Sequence, residues 1–416
     1  MSQISHYRRE TCRLCRSSRV KLILKLESTP PAEWFFPSSM KSKVSAFYPL
    51  ELFFCLNCFH VQLLDVLNPE ELFQNYFYTS ESSPGLTEHF QRYAEHLVRL
   101  LEIAPESVAV DIGSNDGIFL EFLRSEGLFV IGVEPSKNLA EICGKKNLEV
   151  LNSFFTLDCA KAIEQKNGRV ALITANNVFA HNDDLSSMAH AISFLLCDEG
   201  SFVFEVSSLM DTIQGLVFDY IYHEHLSYHS LTSLIPFLES HDLEVYRVES
   251  IPTKGGSLRV FTQKKSTGKR IIEDSVLHQQ EKELGFGIDK LETFSKFSRE
   301  ILKAKTLLNS KLAELKENKK RIVGFGASAT TTTLVYHFEL VPLLEFLVDD
   351  NPIRWGSLLP GSDLQIEAPV RLEELHDATI LILAWRFSDQ IIEKYGYLKE
   401  QNGVDFVVPL PTLQIL

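Results

Sequence analysis

Long apolar stretches are missing from this 416-residue chain. No uninterrupted run approaches the ~20 residues that cross a bilayer, so no membrane span is expected. Basic charge is in short supply: 41 Lys and Arg face 55 Asp and Glu, for a formal net charge of −14. With no basic stripe to offset that balance, nucleic acid is excluded as an expected partner. Cysteine is scarce too, with seven residues in the whole chain, too few for a disulfide framework of this length. The first residues, MSQISHYRRETCRLC, carry charge with no apolar core behind them. A secretory signal is therefore not expected, and the reading is a cytoplasmic protein with reduced thiols. What remains is 45% hydrophobic and 23% charged, the balance of a globular chain long enough for two or three domains.

Four of the cysteines form two C-x-x-C pairs, Cys12 with Cys15 and Cys55 with Cys58. That spacing lets two thiolates of one tight turn reach the same ion, and two such knuckles in a reducing compartment point to structural zinc. His6 and His60 flank the pairs, but four thiolates already complete a tetrahedron. Cys143, Cys159 and Cys197 lie in helical patterns and read as core filling.

The most informative segment is VAVDIGSNDGIFL, residues 108–120. It reads as a buried strand, a glycine turn and a helix start. A second apolar strand, FVIGVEP, follows and carries Glu134 at its tip. Such a turn aims backbone N–H groups and a positive helix end at a ligand, and an acid on the next strand suits ribose hydroxyls. The turn is G-x-x-x-G, Gly113 to Gly117, rather than the G-x-G-x-x-G that holds a pyrophosphate. That favours S-adenosylmethionine over a dinucleotide, with Asp111, Gly113, Asn115, Gly117 and Glu134 as its expected contacts.

Apolar runs at 108–112, 129–134, 148–151, 170–175, 201–206, 243–248 and 257–262 alternate with amphipathic stretches. The fold class is α/β, a doubly wound sheet of the class I methyltransferase kind, whose last two strands follow without a long helix. The expected division is a zinc-binding domain at 1–80, a methyltransferase domain at 81–265, and a helical linker plus Rossmann-like domain at 266–416. In the last, RIVGFGAS at 321–328 repeats the strand–turn–helix pattern. Gly324, Gly326 and the hydroxyl of Thr330 suit the diphosphate of a nucleotide there.

Two polar clusters sit where ligand-side loops of such a sheet emerge. After the fifth strand come Tyr222, His223, Glu224 and His225, then Tyr228 and His229. Imidazole beside a phenol and a carboxylate can move a proton near neutral pH. H-E-H lacks the spacing of a helical zinc site. After the fourth strand come Asn177 and His181, with Asp183 and Asp184 expected to cap the next helix. Asn177 suits the methionine end of the donor and His181 the acceptor. Tyr76 and Tyr78 are expected to close the pocket.

In this order the motifs resemble the sugar C-methyltransferases that act on nucleotide-linked deoxy-keto-sugars. DIGSNDG and GVEPS look like that family's donor motifs, FDYIYHEHLSYHS like its catalytic segment, and VDDNP with LPG like its C-terminal signature. The resemblance implies an N-terminal zinc domain, S-adenosylmethionine as donor, and methylation of a carbon beside a ketone through an enolate. It assigns His225 as base, Tyr222 as donor or relay to the enolate oxygen, and Glu224 to orienting the pair or the substrate. One departure stands out: where relatives often carry lysine after G-x-G-A-x-A, this chain has Thr330, which leaves the activated sugar open. O- or N-methylation of a related small molecule, a non-catalytic adaptor binding zinc and donor, and a nicotinamide-dependent oxidoreductase are the alternatives. Oligomeric state is not legible.

Overall fold

A computed structural model describes residues 4–37, 46–73, 79–82 and 85–416. Tyr76 and Tyr78 lie outside the described residues.

The central sheet has seven strands in the order Leu243–Ile251, Ser257–Lys264, Leu196–Ser207, Val170–Asn176, Val108–Ile112, Phe129–Val133, Glu149–Leu151. Only Ser257–Lys264 runs against its neighbours. The chain reaches that slot by a short turn from Leu243–Ile251, so no crossover helix is needed and the pairing is antiparallel. This is the class I methyltransferase arrangement. The order reverses at Val108–Ile112 beside Val170–Asn176, and ligands of doubly wound sheets bind at that crevice. Strands at the centre are buried on both faces, which is why they read as near-continuous apolar runs.

Helix Leu86–Leu101 buries Leu86, Phe90, Tyr93, Ala94, Leu97 and Leu101, an i, i+4, i+7 stripe against Phe119 and Phe261. The expected helical linker is a pair, Asp274–Phe286 and Leu291–Glu317. Gly287 ends the first helix in the left-handed conformation that a side chain disfavours. Beyond it, a second sheet orders Ile366–Glu367, Leu347–Val348, Arg321–Phe325, Ala378–Ile382, Asp405–Val408 and Gln414–Ile415, parallel except for the last pair. This is the Rossmann-like unit expected there.

The N-terminal sheet is antiparallel, ordered Val20–Thr29, Tyr48–Cys55, Val61–Leu63 and Ser227–Tyr228. Its fourth strand comes from the far side of the sequence, with Ser227 opposite Gln62 and Tyr228 opposite Val61. A second exchange pairs Phe36–Pro37 with Ser357–Leu358 of the C-terminal unit. The apolar core follows the same pattern. One buried cluster runs from Leu24 and Phe54 through Phe218 and Ile221 to Phe325 and Leu381. No helix among the described residues is long and apolar enough to cross a membrane.

Candidate active site and metal centre

The two knuckles converge. The sulfur atoms of Cys12, Cys15, Cys55 and Cys58 all lie within 4.8 Å of one another. Cys12 and Cys58 are 3.6 Å apart, and Cys15 and Cys55 3.5 Å. A tetrahedron with zinc–sulfur bonds of ~2.3 Å has edges of roughly 3.8 Å, so the cluster fits that ion almost unmoved. His6 and His60 are not part of it. Residues within each knuckle are held by turn bonds, Arg16 N–H to Cys12 O and Phe59 N–H to Cys55 O, both 2.9 Å.

The donor turn is equally defined. Gly113 adopts φ 71°, and a Cβ on it would stand 2.3 Å from Val178, so the Gly113 turn and the 177–178 loop pack directly together. Gly117 starts the helix Ile118–Ser125 at φ 79° and leaves room for Leu148 and Cys143. Glu134 accepts the Asn115 N–H on one oxygen and the Ser136 N–H on the other, each at 2.9 Å. Each oxygen keeps a further lone pair, which suits a pair of ribose hydroxyls. Burial raises the Glu134 carboxyl, and raises Asp111 to about 7 although Thr174 donates to it at 2.6 Å. The buried Ser114 hydroxyl has no protein partner and lies against Gly132, where a Cβ would stand 2.5 Å from it. These residues fit S-adenosylmethionine. Sequence reasoning missed the cover: Ser80 and Glu81 donate their N–H groups to Asn115 and Asp116 side chains at 2.9 Å.

Next to this turn lies a small, largely enclosed pocket lined by Asn177, His181, Tyr220, His225, Ser227 and Tyr228 among others. His225 Nδ1 donates to the Tyr220 carbonyl at 2.8 Å. That bond fixes the neutral tautomer with Nε2 as a free acceptor, and burial pushes the imidazole down to about 3. The Tyr222 ring packs on His225 at 4.0 Å, and His181 stacks on its other side at 5.1 Å. His181 is itself stacked on Phe73 at 5.9 Å and keeps a buried, unpartnered Nε2. The pairing of Tyr222 and His225 follows from a turn closed by the His225 N–H on Tyr222 O at 2.9 Å.

That same turn sends the intervening side chains elsewhere. His223 bonds the Pro49 carbonyl at 3.2 Å. Glu224 is buried against the backbone of Ala32 and Glu33, and burial raises it to about 7. The expectation that Glu224 orients His225 is therefore corrected: the Tyr220 carbonyl does so. His229 is fully buried between Phe179 and His60. Of the two aspartates expected as caps, Asp184 caps its helix, accepting Ser187 N–H at 3.1 Å. Asp183 instead turns back to Tyr7, Arg9 and Arg13.

The diphosphate contacts expected at Gly324 and Gly326 are also corrected. Gly324 is bare because a Cβ would strike Leu347 and Leu383, and Gly326, at φ 106°, because it would strike Ala384. The N–H groups of the turn are already taken: Ala327 donates to Asp349 at 2.7 Å and Ala329 to Glu33 at 3.2 Å. An incoming diphosphate, or a dinucleotide, would meet carboxylates there. Thr330 bonds Ser328 at 2.9 Å and Arg386 at 3.3 Å, and Thr332 and Thr333 bond the carbonyls of Ala32 and Ile221. The threonine run stitches units together. Two cations unmarked by any motif stand beside the pocket. Arg386 lies over the Tyr220 ring at 4.6 Å, and the Lys254 charge bears on both His181 and His225.

Comparison with known proteins agrees with this layout. Residues 12–73 match a zinc binding domain, 86–248 a methyltransferase domain, and 252–411 a C-methyltransferase C-terminal domain. C-methyltransferase NovU of Streptomyces niveus is 27% identical over 412 residues, covering 98% of this chain and 97% of that protein. Among solved structures, magnesium protoporphyrin IX methyltransferase of Synechocystis PCC 6803 with bound S-adenosylmethionine is 14% identical (TM-score 0.33), covering 43% of this chain and 81% of that one. The CcbJ methyltransferase of Streptomyces caelestis is also 14% identical (TM-score 0.35), over 44% and 94% of the two chains. Sheet order, donor turn and thiolate cluster are those of an S-adenosylmethionine-dependent methyltransferase in which a zinc-binding domain, a methyltransferase domain and a C-methyltransferase C-terminal domain follow one another.

Proposed function

We propose that the chain methylates a carbon next to the ketone of a nucleotide-linked deoxy-keto-sugar, through an enolate formed by His225. The observation that carries the reading is the His225 Nδ1 bond to Tyr220 O at 2.8 Å, which leaves Nε2 as an acceptor in the pocket wall. A proton beside a ketone is acidic enough for a positioned imidazole. His225 takes that proton, and the Tyr222 hydroxyl donates to the oxygen on which enolate charge develops. Bound S-adenosylmethionine supplies an electrophilic methyl group, its ribose on Glu134 and its methionine end beside Gly113 and Asn177. The enolate carbon forms the new bond as the sulfonium bond breaks, and the proton on His225 leaves to solvent. His181 lines the acceptor side. Holding carbon and methyl in line supplies much of the acceleration. Zinc stays structural, its coordination filled by four thiolates.

The substrate class rests on the family resemblance of the catalytic segment. The occupied N–H groups at 327 and 329 favour Lys254 and Arg386, beside Thr330, as contacts for the anionic part of the substrate. The net charge of −14 disfavours nucleic acid as the acceptor and leaves a small molecule.

The test is a panel of nucleotide keto-sugars with methyl-labelled donor, read by mass spectrometry. On the accepted sugar, His225→Asn is expected to lower turnover by ~10²–10⁴-fold with donor binding retained. Tyr222→Phe slows the same step. In deuterated water without donor, the wild type exchanges the proton beside the ketone and the His225 variant does not. Wild-type turnover in His225→Asn would move the base elsewhere, with His181 first in line.

A further inference from the structure

Arg13 sits inside the first zinc knuckle, between Cys12 and Cys15, yet its side chain leaves the knuckle altogether. It is 2% exposed. Its Nη1 donates to Gln62 Oε1 at 3.0 Å, to the Leu63 carbonyl, and to the Leu226 carbonyl at 3.1 Å. Its Nε donates to Asp183 Oδ1 at 2.9 Å. Leu226 is the residue after His225, and Asp183 lies two residues beyond His181. One guanidinium therefore spans the two loops that bring these histidines together. The tie is reinforced by direct bonds: Ser227 N–H to Ala180 O at 3.1 Å, Leu63 N–H to Leu226 O at 3.0 Å, and His60 Nε2 to Ser227 Oγ at 3.2 Å.

We propose that Arg13 is a positioning residue for methyl transfer, holding the 177–184 and 222–229 loops in one register from the base of the zinc knuckle. Burial makes each of its bonds stronger than a surface contact. Nη1 is shared among two carbonyls and an amide oxygen and Nε serves the carboxylate, while Nη2 is buried without a protein partner, so the tie runs through one edge of the planar fork. Without it, Leu226 O and Asp183 lose their common partner while the thiolate cluster keeps all its ligands. The proposal rests on the reading that His225 stands at the reacting centre, and its consequences for loop rigidity do not.

The experiment compares full-length zinc-loaded wild type with Arg13→Met, Arg13→Lys and Asp183→Ala. Expected for Arg13→Met are one zinc per chain and a donor affinity lowered at most a few-fold by calorimetry, since only Asn177 of the donor contacts lies in a loosened loop. Amide hydrogen exchange should quicken within 177–184 and 222–229 only. On an accepted keto-sugar, kcat should fall by ~10- to 100-fold, well beyond any change in the donor KM, the size expected of a small misplacement of reacting groups. Arg13→Lys should recover part of the loss. Asp183→Ala removes the acceptor of Arg13 Nε outside the knuckle, along with its bonds to Tyr7 and Arg9, and reads the same way should Arg13→Met not fold. Exchange and kcat at wild-type values in either zinc-loaded variant overturn the proposal, as does a loss of kcat that follows zinc content alone. A wild type that methylates without exchanging the substrate proton removes the enolate reading; faster loop exchange with lowered kcat still supports the tie.

Discussion

Asp219 and Arg386 meet between the catalytic segment and the C-terminal unit, with Arg386 Nη1 3.0 Å from both carboxylate oxygens. Asp219 is fully buried and also accepts Trp385 Nε1–H at 2.9 Å, while Arg386 keeps some solvent contact. Arg386 also covers the Tyr220 ring, whose backbone carbonyl orients His225. The two partners are thus unequal in what their loss leaves behind. Arg386→Met strands a carboxylate with no water, and should cost about 3 kcal/mol or more. Asp219→Asn leaves a cation that can reach solvent and should cost less. Denaturant melts of both variants check the order; the reverse order would refute it.

The thiolate cluster makes a compositional prediction. Protein purified without chelator should carry about one zinc per chain, and Cys55→Ser should lose it. Since Cys55 ends the strand Tyr48–Cys55, which pairs with Val61–Leu63, metal loss should loosen the sheet that holds Ser227–Tyr228. Elemental analysis with limited proteolysis at 222–229 reads both effects.

Glu134→Ala should weaken S-adenosylmethionine binding by ~1.5–3 kcal/mol, the loss of charge-assisted acceptors. Part of that comes through the turn, because the Asn115 and Ser136 N–H groups lose their partner. Calorimetry on the folded variant decides. Unchanged affinity would place the ribose elsewhere.

Acid should unfold this chain steeply. Burial holds His223 and His337 down to about 4 and His225 and His229 to about 3, with His60 and His181 well below the usual value. A depressed histidine binds its proton preferentially in the unfolded chain. Stability is therefore full above pH ~6.5 and falls as pH drops toward these values. Asp111 and Glu224, raised to about 7, and Glu33, Asp65 and Glu134, raised by burial as well, work the other way as pH falls toward ~4. The six histidines are joined, however, by Glu205 and Glu249, which against burial their ion pairs hold below the usual carboxylate value. Calorimetric melts from pH 7.5 to 4 should show the midpoint dropping; a flat profile would contradict it.

The central sheet was largely legible because each strand is a short apolar run bounded by turn residues. Val108–Ile112 falls where the sequence put it, and Phe129–Val133 ends one residue before Glu134. The thiolate cluster was legible from spacing alone. What was hidden has a common physical character. The Ser227–Tyr228 pairing with Val61–Leu63 and the Asp219–Arg386 pair join residues more than 150 positions apart, and no local pattern encodes such contacts. Glycine misled for a related reason. At 324 and 326 it serves close packing against Leu347 and Ala384, which in sequence looks the same as a phosphate turn. The alternation around His225 was also invisible, since only the turn at Tyr222 decides which neighbours face the pocket.

The borrowed strand Ser227–Tyr228 sets a limit on recombination among relatives. Exchanging residues 1–80 between two such enzymes would graft a sheet whose fourth strand still belongs to the recipient, with Gln62 facing Ser227 and Arg13 reaching for Leu226. A chimera that respects the molecule must carry 222–229 along with the knuckles, so the inheritable block is discontinuous in the gene although contiguous in space.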